Sequence, residues 1–282
     1  MNQAIQTKTT PLVSVIVPCF NHELFLEEAV NSALSSSYPD LEIIIVDDGS
    51  KDKSLAIAKE LEFKHPFQIS VYSQVNSGPS VARNKAISHA NGEFILPLDA
   101  DDKINPDYIS KGVKVLEGDR NIKLVYCEAE KFGKKSGHWK LKPYCPNALA
   151  LDNMIFVSSL FRKSDWMNIG GYDERLKWGW EDWEYWINLL KDGGKVHKLP
   201  YVGFYYRIHS VSRRKSVNKK IKKMTLQLLN SKHAGFLNQQ LGGPIRNPRS
   251  WSKFINKTSQ AITYLSAIPY KKHFQIPILE KK

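Results

Sequence analysis

The first hundred residues alternate between short apolar runs and longer segments with helical spacing. The apolar runs lack a polar side, which is typical of parallel strands covered on both faces. Four such runs predict strands, at residues 12–17, 41–46, 68–72 and 94–98. The segments between them predict helices, at residues 26–34, from 51 to about 61, and at 81–90. This alternation predicts an α/β protein with a doubly wound parallel sheet.

Polar clusters follow all four predicted strands. They lie at residues 18–21, 47–50, 76–78 and 99–102. Ligands of open α/β sheets bind beyond the carboxyl ends of the strands, so these clusters are expected to share one binding edge. Neither a glycine-rich dinucleotide fingerprint nor a P-loop follows the first strand. A metal ion is therefore the expected clamp for a phosphate-bearing substrate.

The last of these clusters gathers three carboxylates. Asp99, Asp101 and Asp102 end an apolar run, and like charges so close together destabilise one another unless a cation lies between them. Carboxylate oxygens are ligands that Mg²⁺ and Mn²⁺ prefer. The alternative is the N-terminus of a helix, where the helix dipole favours anions. Placement at a strand end favours the metal site.

Beyond Pro106 the pattern is a mixture of strands and helices. We predict a strand at residues 122–127, a basic hairpin or loop at 131–142, an aromatic-rich stretch at 166–186, and late strands at 196–199 and 202–206. The alternation stops near residue 210. The chain is therefore divided into a tail at 1–10, an α/β domain at 11–210 and a basic, helical extension at 211–282.

The net charge of +13 arises in this extension. Residues 211–282 hold 16 Lys and Arg residues and one acidic residue, whereas the remainder holds 25 basic and 27 acidic residues. Seven of the cations lie in residues 213–223, with Val217, Ile221, Met224 and Leu228 at helical spacing. Such a helix is expected to lie on an anionic membrane. The alternative is a solvated face that packs on the catalytic domain or contacts an anionic acceptor.

Composition favours a cytoplasmic protein that does not bind nucleic acid. Cys19, Cys127 and Cys145 form neither a zinc spacing nor an even disulfide set. Residues 1–10 lack the apolar core of a signal peptide, and no apolar stretch reaches the roughly 20 residues that span a bilayer. No aromatic platform accompanies the basic charge. We expect a cytoplasmic location, peripheral at the inner face of the cell membrane.

Six segments form an ordered set of motifs, at residues 13–21, 45–50, 78–84, 99–101, 180–183 and 206–212. Asp99-Ala100-Asp101 is a D-x-D motif, and Glu181-Asp182 is an E-D pair. In this order and spacing, the set resembles the family 2 glycosyltransferases, which are inverting nucleotide-sugar enzymes with a GT-A fold. The resemblance covers about residues 11–212. It implies that residues 11–210 are a catalytic domain with a GT-A, Rossmann-like fold, in which a mixed, mostly parallel sheet is flanked by helices.

The resemblance also implies a donor site. Donor-binding roles fall on Pro18, Asn21, Asp47, Asp48, Arg83, Asn84, Asp99 and Ala100. Asp48, beside Asp47, would contact the uracil or ribose, and Arg83 would support the phosphates or the aspartate cluster. Metal-binding roles fall on Asp101, Asp102 and His209, which would ligate Mn²⁺ or Mg²⁺ at the diphosphate of a UDP-linked sugar.

On the acceptor side, the resemblance makes Asp182 the general base. Trp180, Glu181 and Trp183 would contact the acceptor. For the two tryptophans the reason is that indole faces stack well on sugar rings. Trp183 and Trp186 also share one face of a helix, so the alternative is that both are core anchors.

Plainer interpretations remain for four of the other residues. The pair at Asp47 and Asp48 fits a strand-ending turn. Arg83 fits a solvated surface cation, and His209 a structural histidine.

The predicted function is that of a metal-dependent inverting glycosyltransferase. It would move a sugar from a UDP-sugar to a hydroxyl of a glycan or lipid-linked acceptor, in bacterial cell-surface polysaccharide synthesis. One alternative is a nucleotidyltransferase, which also places aspartates and a metal at a strand end. The other is a catalytically silent module that binds sugar nucleotides.

Overall fold

A computed structural model describes residues 10–210 and 218–245. These residues form one nine-stranded sheet with helices packed against it. The strands are β1 (Val13–Cys19), β2 (Leu41–Asp47), β3 (Ile69–Ser73), β4 (Phe94–Pro97), β5 (Lys103–Ile104), β6 (Ile122–Gly133), β7 (Gly137–Trp139), β8 (Leu160–Arg162) and β9 (Lys195–Ile208). The helices are α1 (Leu26–Leu34), α2 (Ser54–Lys64), α3 (Pro79–His89), α4 (Tyr108–Gly118), α5 (Pro146–Leu151), α6 (Lys163–Ile169), α7 (Glu181–Leu190), α8 (Lys219–Lys232) and α9 (Ala234–Leu241).

The sheet has a parallel half and a mixed half. Its strand order is β3-β2-β1-β4-β8-β6-β9-β5, with β7 paired to β6. The first four of these strands are parallel, as their apolar runs predicted. Strand β8 is antiparallel to both β4 and β6, and β9 runs parallel to β6. The parallel sheet predicted for the first hundred residues is confirmed, and the sheet as a whole is mixed, as was also predicted.

The register of the parallel half brings the polar clusters together. Cys19 at the end of β1 lies opposite Asp47 at the end of β2. Pro97, the last residue of β4, lies opposite Ile16, and the Leu98 amide donates to the Ile16 carbonyl at 2.9 Å. The loops that follow β1, β2 and β4 therefore leave the sheet at the same edge.

The two late strands predicted at 196–199 and 202–206 are one strand in the structure. In β9 the pairing with β6 jumps from Leu199 to Val202, and the bulge holds Pro200. Proline cannot donate a ladder hydrogen bond, and a bulge is one of the few places where a strand accommodates it. The basic hairpin predicted at 131–142 is confirmed, since β6 ends at Gly133 and β7 pairs with it.

Helices α8 and α9 pack on the rest of the described protein. The buried side chains of α8 are Thr225, Leu226 and Leu229. Of the residues in the predicted apolar stripe, Met224 is 58% exposed, and residue 217 lies outside the described residues. Of the basic segment at 213–223, only residues 218–223 are described. Among the described helices, none combines the length and the apolar character needed to cross a membrane.

We expect the G92A variant to be destabilised. A Cβ atom on Gly92 would lie 2.5 Å from Ser14 Oγ and 2.6 Å from the Ser14 amide nitrogen. Backbone cannot move aside cheaply, so the free energy of unfolding should fall by about 1–3 kcal/mol. Urea denaturation followed by circular dichroism measures the change.

The matched control is G118A, at the end of α4. No heavy atom lies within 4 Å of a Cβ placed there. Alanine restricts the unfolded chain more than glycine, so G118A should be neutral or stabilised by up to about 1 kcal/mol. Equal losses in the two variants would contradict the packing argument.

Candidate active site

The loops that follow β1 and β2 are tied to each other. The Asn21 amide donates to Ser50 Oγ at 3.0 Å, and the Lys51 amide donates to Asn21 Oδ1 at 2.7 Å. Asn21 has a φ angle of 57°, a left-handed conformation that asparagine tolerates better than most residues. Of the predicted donor residues at this loop, Asn21 is exposed and Pro18 is buried within β1.

The Asp48 carboxylate organises the segment that leads into α3. Its Oδ1 accepts hydrogen bonds from Gln74 Nε2 and the Ser77 amide, both at 2.8 Å. Its Oδ2 accepts from the Gly78 amide at 2.9 Å. Gly78 turns the chain into α3 with a φ angle of 97°, which favours glycine. Sequence reasoning missed Gln74, although its position directly after β3 could have indicated it.

Asp47 keeps an acceptor that the protein does not use. Its Oδ2 accepts from the amides of Gly49 and Ser50, both at 3.2 Å. Its Oδ1 is buried and has no hydrogen-bond partner among residues 10–210 and 218–245. Leaving a buried acceptor unpaired costs about 1–3 kcal/mol. This oxygen is therefore a candidate acceptor for an N–H group of a ligand.

A buried arginine joins two sides of the site. Arg83 on α3 is 3% exposed, and its Nη2 donates to Asp99 Oδ1 at 2.6 Å. Its Nη1 donates to Glu181 Oε1 at 3.0 Å. Burial by itself would lower the pKa of Arg83, but the nearby carboxylates outweigh it and raise the pKa above its ordinary value. The interpretation of Arg83 as a solvated cation is therefore wrong.

Asp101 meets His209, which follows the end of β9. Asp101 Oδ2 and His209 Nε2 are 2.7 Å apart. Phe25 packs edge-on against the imidazole, with 5.1 Å between the ring centres. Both members of the pair keep part of their surface exposed, 20% for the Asp101 side chain and 29% for His209. A ligand can therefore reach both.

Residues 99–102 form the aspartate turn, in which Ala100 and Asp102 are buried. Asp102 is 1% exposed, and its Oδ1 accepts from the Arg207 amide at 2.8 Å. Burial, together with the charges of Asp101 and Asp99, raises the pKa of Asp102 well above its ordinary value. Ala100 is also buried. The metal role of Asp102 and the donor role of Ala100 stay predictions.

Asp101 and His209 offer two atoms of the kinds that divalent metals accept. Within the described part of the chain, no group of three or more His, Cys, Asp or Glu side chains could hold a metal ion. Mg²⁺ at a phosphate usually takes one or two carboxylates together with substrate oxygens, rather than a complete protein cage. The pair therefore fits a metal that is shared with a diphosphate.

Asp182 lies at the start of α7, behind a strained turn. Gly179 has a φ angle of 115° and Trp180 one of 66°, and left-handed residues other than glycine concentrate at functional sites. Asp182 Oδ1 accepts from the Trp183 amide, and its Oδ2 accepts from Asn153 Nδ2, both at 2.8 Å. Burial and the neighbouring Glu181 raise the pKa of Asp182 to about 7.

Two of the three predicted acceptor residues do not fit that role. Trp183 is 2% exposed, and its indole N–H donates to the Leu149 carbonyl at 2.6 Å, so it is a core anchor. Glu181 is buried against Arg83. Trp180 is half-buried, and Trp178, which was not in the predicted set, is 57% exposed.

The predicted donor contact of Asn84 also does not fit. Its Oδ1 accepts from the Tyr172 amide at 2.9 Å and from Trp166 Nε1 at 3.2 Å. Its Nδ2 donates to the Tyr172 carbonyl at 2.9 Å and to Glu174 Oε1 at 3.1 Å. An asparagine amide has two donors and two acceptor positions, and all four are used here. Asn84 therefore holds the 166–174 segment on α3.

The chain belongs to glycosyl transferase family 2, because the model of that family matches residues 14–221. An uncharacterised glycosyltransferase of Rickettsia typhi is 32% identical over 203 residues, which cover 66% of this chain and 61% of the relative. The putative teichuronic acid biosynthesis glycosyltransferase TuaG of Bacillus subtilis is 41% identical over 110 residues, covering 39% of this chain and 44% of TuaG. The chain thus spans less than two thirds of the length of these relatives.

Solved structures share the fold. S. aureus TarS 1–349 in complex with UDP-GlcNAc matches with a TM-score of 0.68 and 18% identity, over 89% of this chain and 79% of that one. The mannosyltransferase PcManGT from Pyrobaculum calidifontis, in complex with GDP-Man and Mn²⁺, matches with a TM-score of 0.60 and 20% identity, over 93% and 71%. At these identities the likeness concerns the fold alone. The predicted GT-A fold of the family is confirmed.

We expect the R83M variant to lose stability, because it leaves Asp99 and Glu181 without a cation. Breaking a buried ion pair costs about 3–5 kcal/mol, and the lower end applies here. The reason is that the Asp99 side chain is 34% exposed, so water can still solvate part of its charge when Arg83 is removed. Urea denaturation at pH 7 should show the loss.

The control for R83M is K64M. Lys64 pairs with Glu60 on the surface of α2, where the two side chains are 50% and 62% exposed. Exposed pairs contribute little, so K64M should unfold like the parent protein. If R83M were as stable as K64M at pH 7, the Arg83 bridge would not hold the site together.

Proposed function

We propose that this chain is a metal-dependent inverting glycosyltransferase that moves a sugar from a UDP-sugar to a hydroxyl of a glycan or lipid-linked acceptor. The observation that carries the proposal is the Arg83 bridge, which joins Asp99 on the donor side to Glu181, the neighbour of Asp182. One sheet edge thereby combines a diphosphate side and an acceptor side. Family membership supports this class of reaction, and the name given to TuaG supports a role in bacterial surface polysaccharide synthesis.

The nucleobase of the donor would bind beside Asp47 and Asp48. The unpartnered Asp47 Oδ1 would accept a ring N–H, as uracil offers. Asp48 already accepts three hydrogen bonds from the 74–78 segment. It would therefore act on the nucleobase site indirectly, by fixing the position of that segment. The UDP-GlcNAc bound to TarS supports a UDP-linked donor.

Asp101 and His209 would hold a divalent metal, Mn²⁺ or Mg²⁺. When bound, such an ion neutralises the charge that develops on the departing diphosphate. Asp102 would fix the turn that carries Asp101, through its contact with the Arg207 amide. The Mn²⁺ in the PcManGT complex supports a metal at this fold.

Asp182 would act as the general base. The acceptor oxygen forms a bond to the anomeric carbon as the bond from that carbon to the diphosphate oxygen breaks. The proton of the acceptor hydroxyl passes to the Asp182 carboxylate, and attack opposite the leaving group inverts the anomeric carbon. Each Asp182 oxygen accepts one hydrogen bond within the protein, which leaves a lone pair for this proton.

The acceptor would enter beside the turn that precedes α7. Trp180 and the exposed Trp178 would offer indole faces to the apolar face of a sugar. The basic segment at 213–223 would hold the protein at an anionic membrane, on the cytoplasmic side, where a lipid-linked acceptor is available.

A thermal-shift screen of nucleotide sugars with and without Mn²⁺ tests the donor site. Ligand binding raises the melting temperature by an amount set by ligand concentration over Kd. We expect a UDP-sugar to give the largest shift, and Mn²⁺ to increase it. The D101N variant should lose the Mn²⁺-dependent part of the shift.

The control in the screen is D192N, which changes an exposed carboxylate after the end of α7. It should respond to donor and metal like the parent protein. If no nucleotide gave a metal-dependent shift, the proposed function would be wrong. Binding without transfer to any acceptor would indicate a silent sugar-nucleotide-binding module.

We expect kcat to fall as the pH is lowered through about 7. Asp182 accepts the proton only as a carboxylate, and its pKa is raised to about 7. Below that pH the rate should fall about tenfold per unit, whereas above it the carboxylate is fully present and the rate should level off. Initial rates at saturating donor and acceptor between pH 5 and about 9 measure the profile.

The D182N variant checks the assignment of this group. An amide cannot take the proton, so kcat should drop by about 10²–10⁴-fold while the melting-temperature shift with the UDP-sugar persists. Full turnover by D182N would show that another group is the base.

A further inference from the structure

Asn153 contacts the carboxylate of the proposed base from outside α7. It lies between α5 and β8, in a segment without regular structure. Its Nδ2 donates to Asp182 Oδ2 at 2.8 Å. The other Asp182 oxygen, Oδ1, accepts a hydrogen bond from the backbone amide of Trp183, which belongs to the same helix. Asn153 therefore supplies the one side-chain donor that the structure gives to Asp182 within residues 10–210 and 218–245.

The amide group of Asn153 can donate in only one orientation. Its Oδ1 accepts a hydrogen bond from the Ile155 amide at 3.1 Å, two residues further along the chain. This local turn is common for asparagine and fixes which end of the amide is the oxygen. A flip of the amide would set the Oδ1 against the carboxylate and the NH₂ against an N–H. The NH₂ group is thus directed at Asp182.

The segment that carries Asn153 is attached to α7 on both sides of this residue. The Trp183 indole N–H donates to the Leu149 carbonyl at 2.6 Å, and the Trp186 indole N–H donates to the Ile155 carbonyl at 3.2 Å. Both indoles are almost fully buried. Helix α7 therefore positions Asp182 and, through these two tryptophans, also positions the group that contacts Asp182.

The charges around Asp182 oppose one another. Burial, Glu181 and Asp99 raise its pKa, whereas Arg83 and the Trp183 amide lower it. The buried phenol of Tyr172 lies near Asp182, and the negative charge of Asp182 contributes to raising the pKa of Tyr172. The Asn153 NH₂ is a neutral donor, and a donor to a carboxylate favours the ionised form. It also restricts rotation of the carboxylate, which decides where the second lone pair of each oxygen points.

We propose that Asn153 is a positioning residue for the reaction, which holds the Asp182 carboxylate ionised and oriented toward the acceptor hydroxyl. This inference rests on the proposed function, in which Asp182 is the base. It goes beyond that function by assigning the orientation of the base to a residue in the α5–β8 segment. It also gives Trp183 and Trp186 a purpose beyond packing.

The test compares N153D and N153A with the parent chain. N153D keeps the shape of the side chain and an oxygen for the Ile155 amide, but it replaces the donor to Asp182 by an acceptor. The pKa of Asp182 should rise by about 1–2 pH units, since the carboxylate loses a charge-assisted hydrogen bond and gains a like charge. N153A removes the donor without adding a charge, so its shift should be in the same direction and smaller.

Two readouts follow the effect. The first is the titration of the Asp182 carboxyl carbon by ¹³C NMR in protein labelled at aspartate, with D182N identifying the signal. The second is the pH profile of kcat, whose acid limb should move by the same amount. The KM for the UDP-sugar should stay constant, because Asn153 makes no contact with the predicted donor residues among the contacts described above.

The matched control is N91D. Asn91 Nδ2 also donates to a carboxylate, Glu42 Oε2 at 3.1 Å, but at the opposite edge of the sheet, near the start of β2. The same chemical change there should leave both the Asp182 titration and the acid limb of kcat where they are in the parent.

The outcomes separate this inference from the proposed function. If Asp182 titrates at the same pH in the parent, N153D and N153A, the inference is overturned, whatever the activity. If the titration shifts but D182N retains full turnover, the base assignment is overturned and Asn153 has no role in the reaction. A shift in both readouts that is absent from N91D supports both.

Discussion

The contact of one buried guanidinium with two carboxylates is the interaction on which the site depends. Arg83 lies on α3, which packs on β1 and β2 in the parallel half of the sheet. Its partners are Asp99, after β4, and Glu181, at the start of α7. Removing carboxylates from water is unfavourable unless a cation faces them. The bridge therefore joins the start of α7, which carries Asp182, to α3 and to the loop that follows β4.

Helix α7 is held by groups that reach it from several parts of the chain. Its two indoles bond to backbone carbonyls of the 149–155 segment. On another side, the fully buried Glu184 accepts from His233 Nε2 at 2.6 Å and pairs with Lys232 at 2.9 Å, at the end of α8. A buried charge needs such partners. The C-terminal helices thus contribute to the position of the helix that carries the proposed base.

The parallel half could be predicted from the sequence because its signals are local. Continuous apolar runs identify the strands, and the polar residue after each run identifies the binding edge. The later half was harder, because its features depend on distant partners. A bulge at Pro200 joins two predicted strands into β9. The side-chain amide of Asn84 forms its hydrogen bonds with the 166–174 segment, which is distant in sequence. In α8 the tertiary structure buries Leu226 and Leu229 and leaves Met224 exposed.

The α/β class, the family resemblance and the carboxylates proposed to carry the chemistry follow from the residues alone. These features depend on residue type and on short spacings between residues, and both can be read from the amino-acid sequence. Only the tertiary structure decided which of the marked residues are available. It buries Trp183 and Glu181, and it satisfies all four hydrogen-bonding positions of the Asn84 amide. Among residues 10–210 and 218–245 it leaves Asp47 Oδ1 without a partner, and it pairs Asp101 with His209. The physical reason is that a hydrogen-bond donor or acceptor is free for a ligand only if no neighbour in the fold satisfies it. Those neighbours are often far away in sequence, as Asn153 is from Asp182.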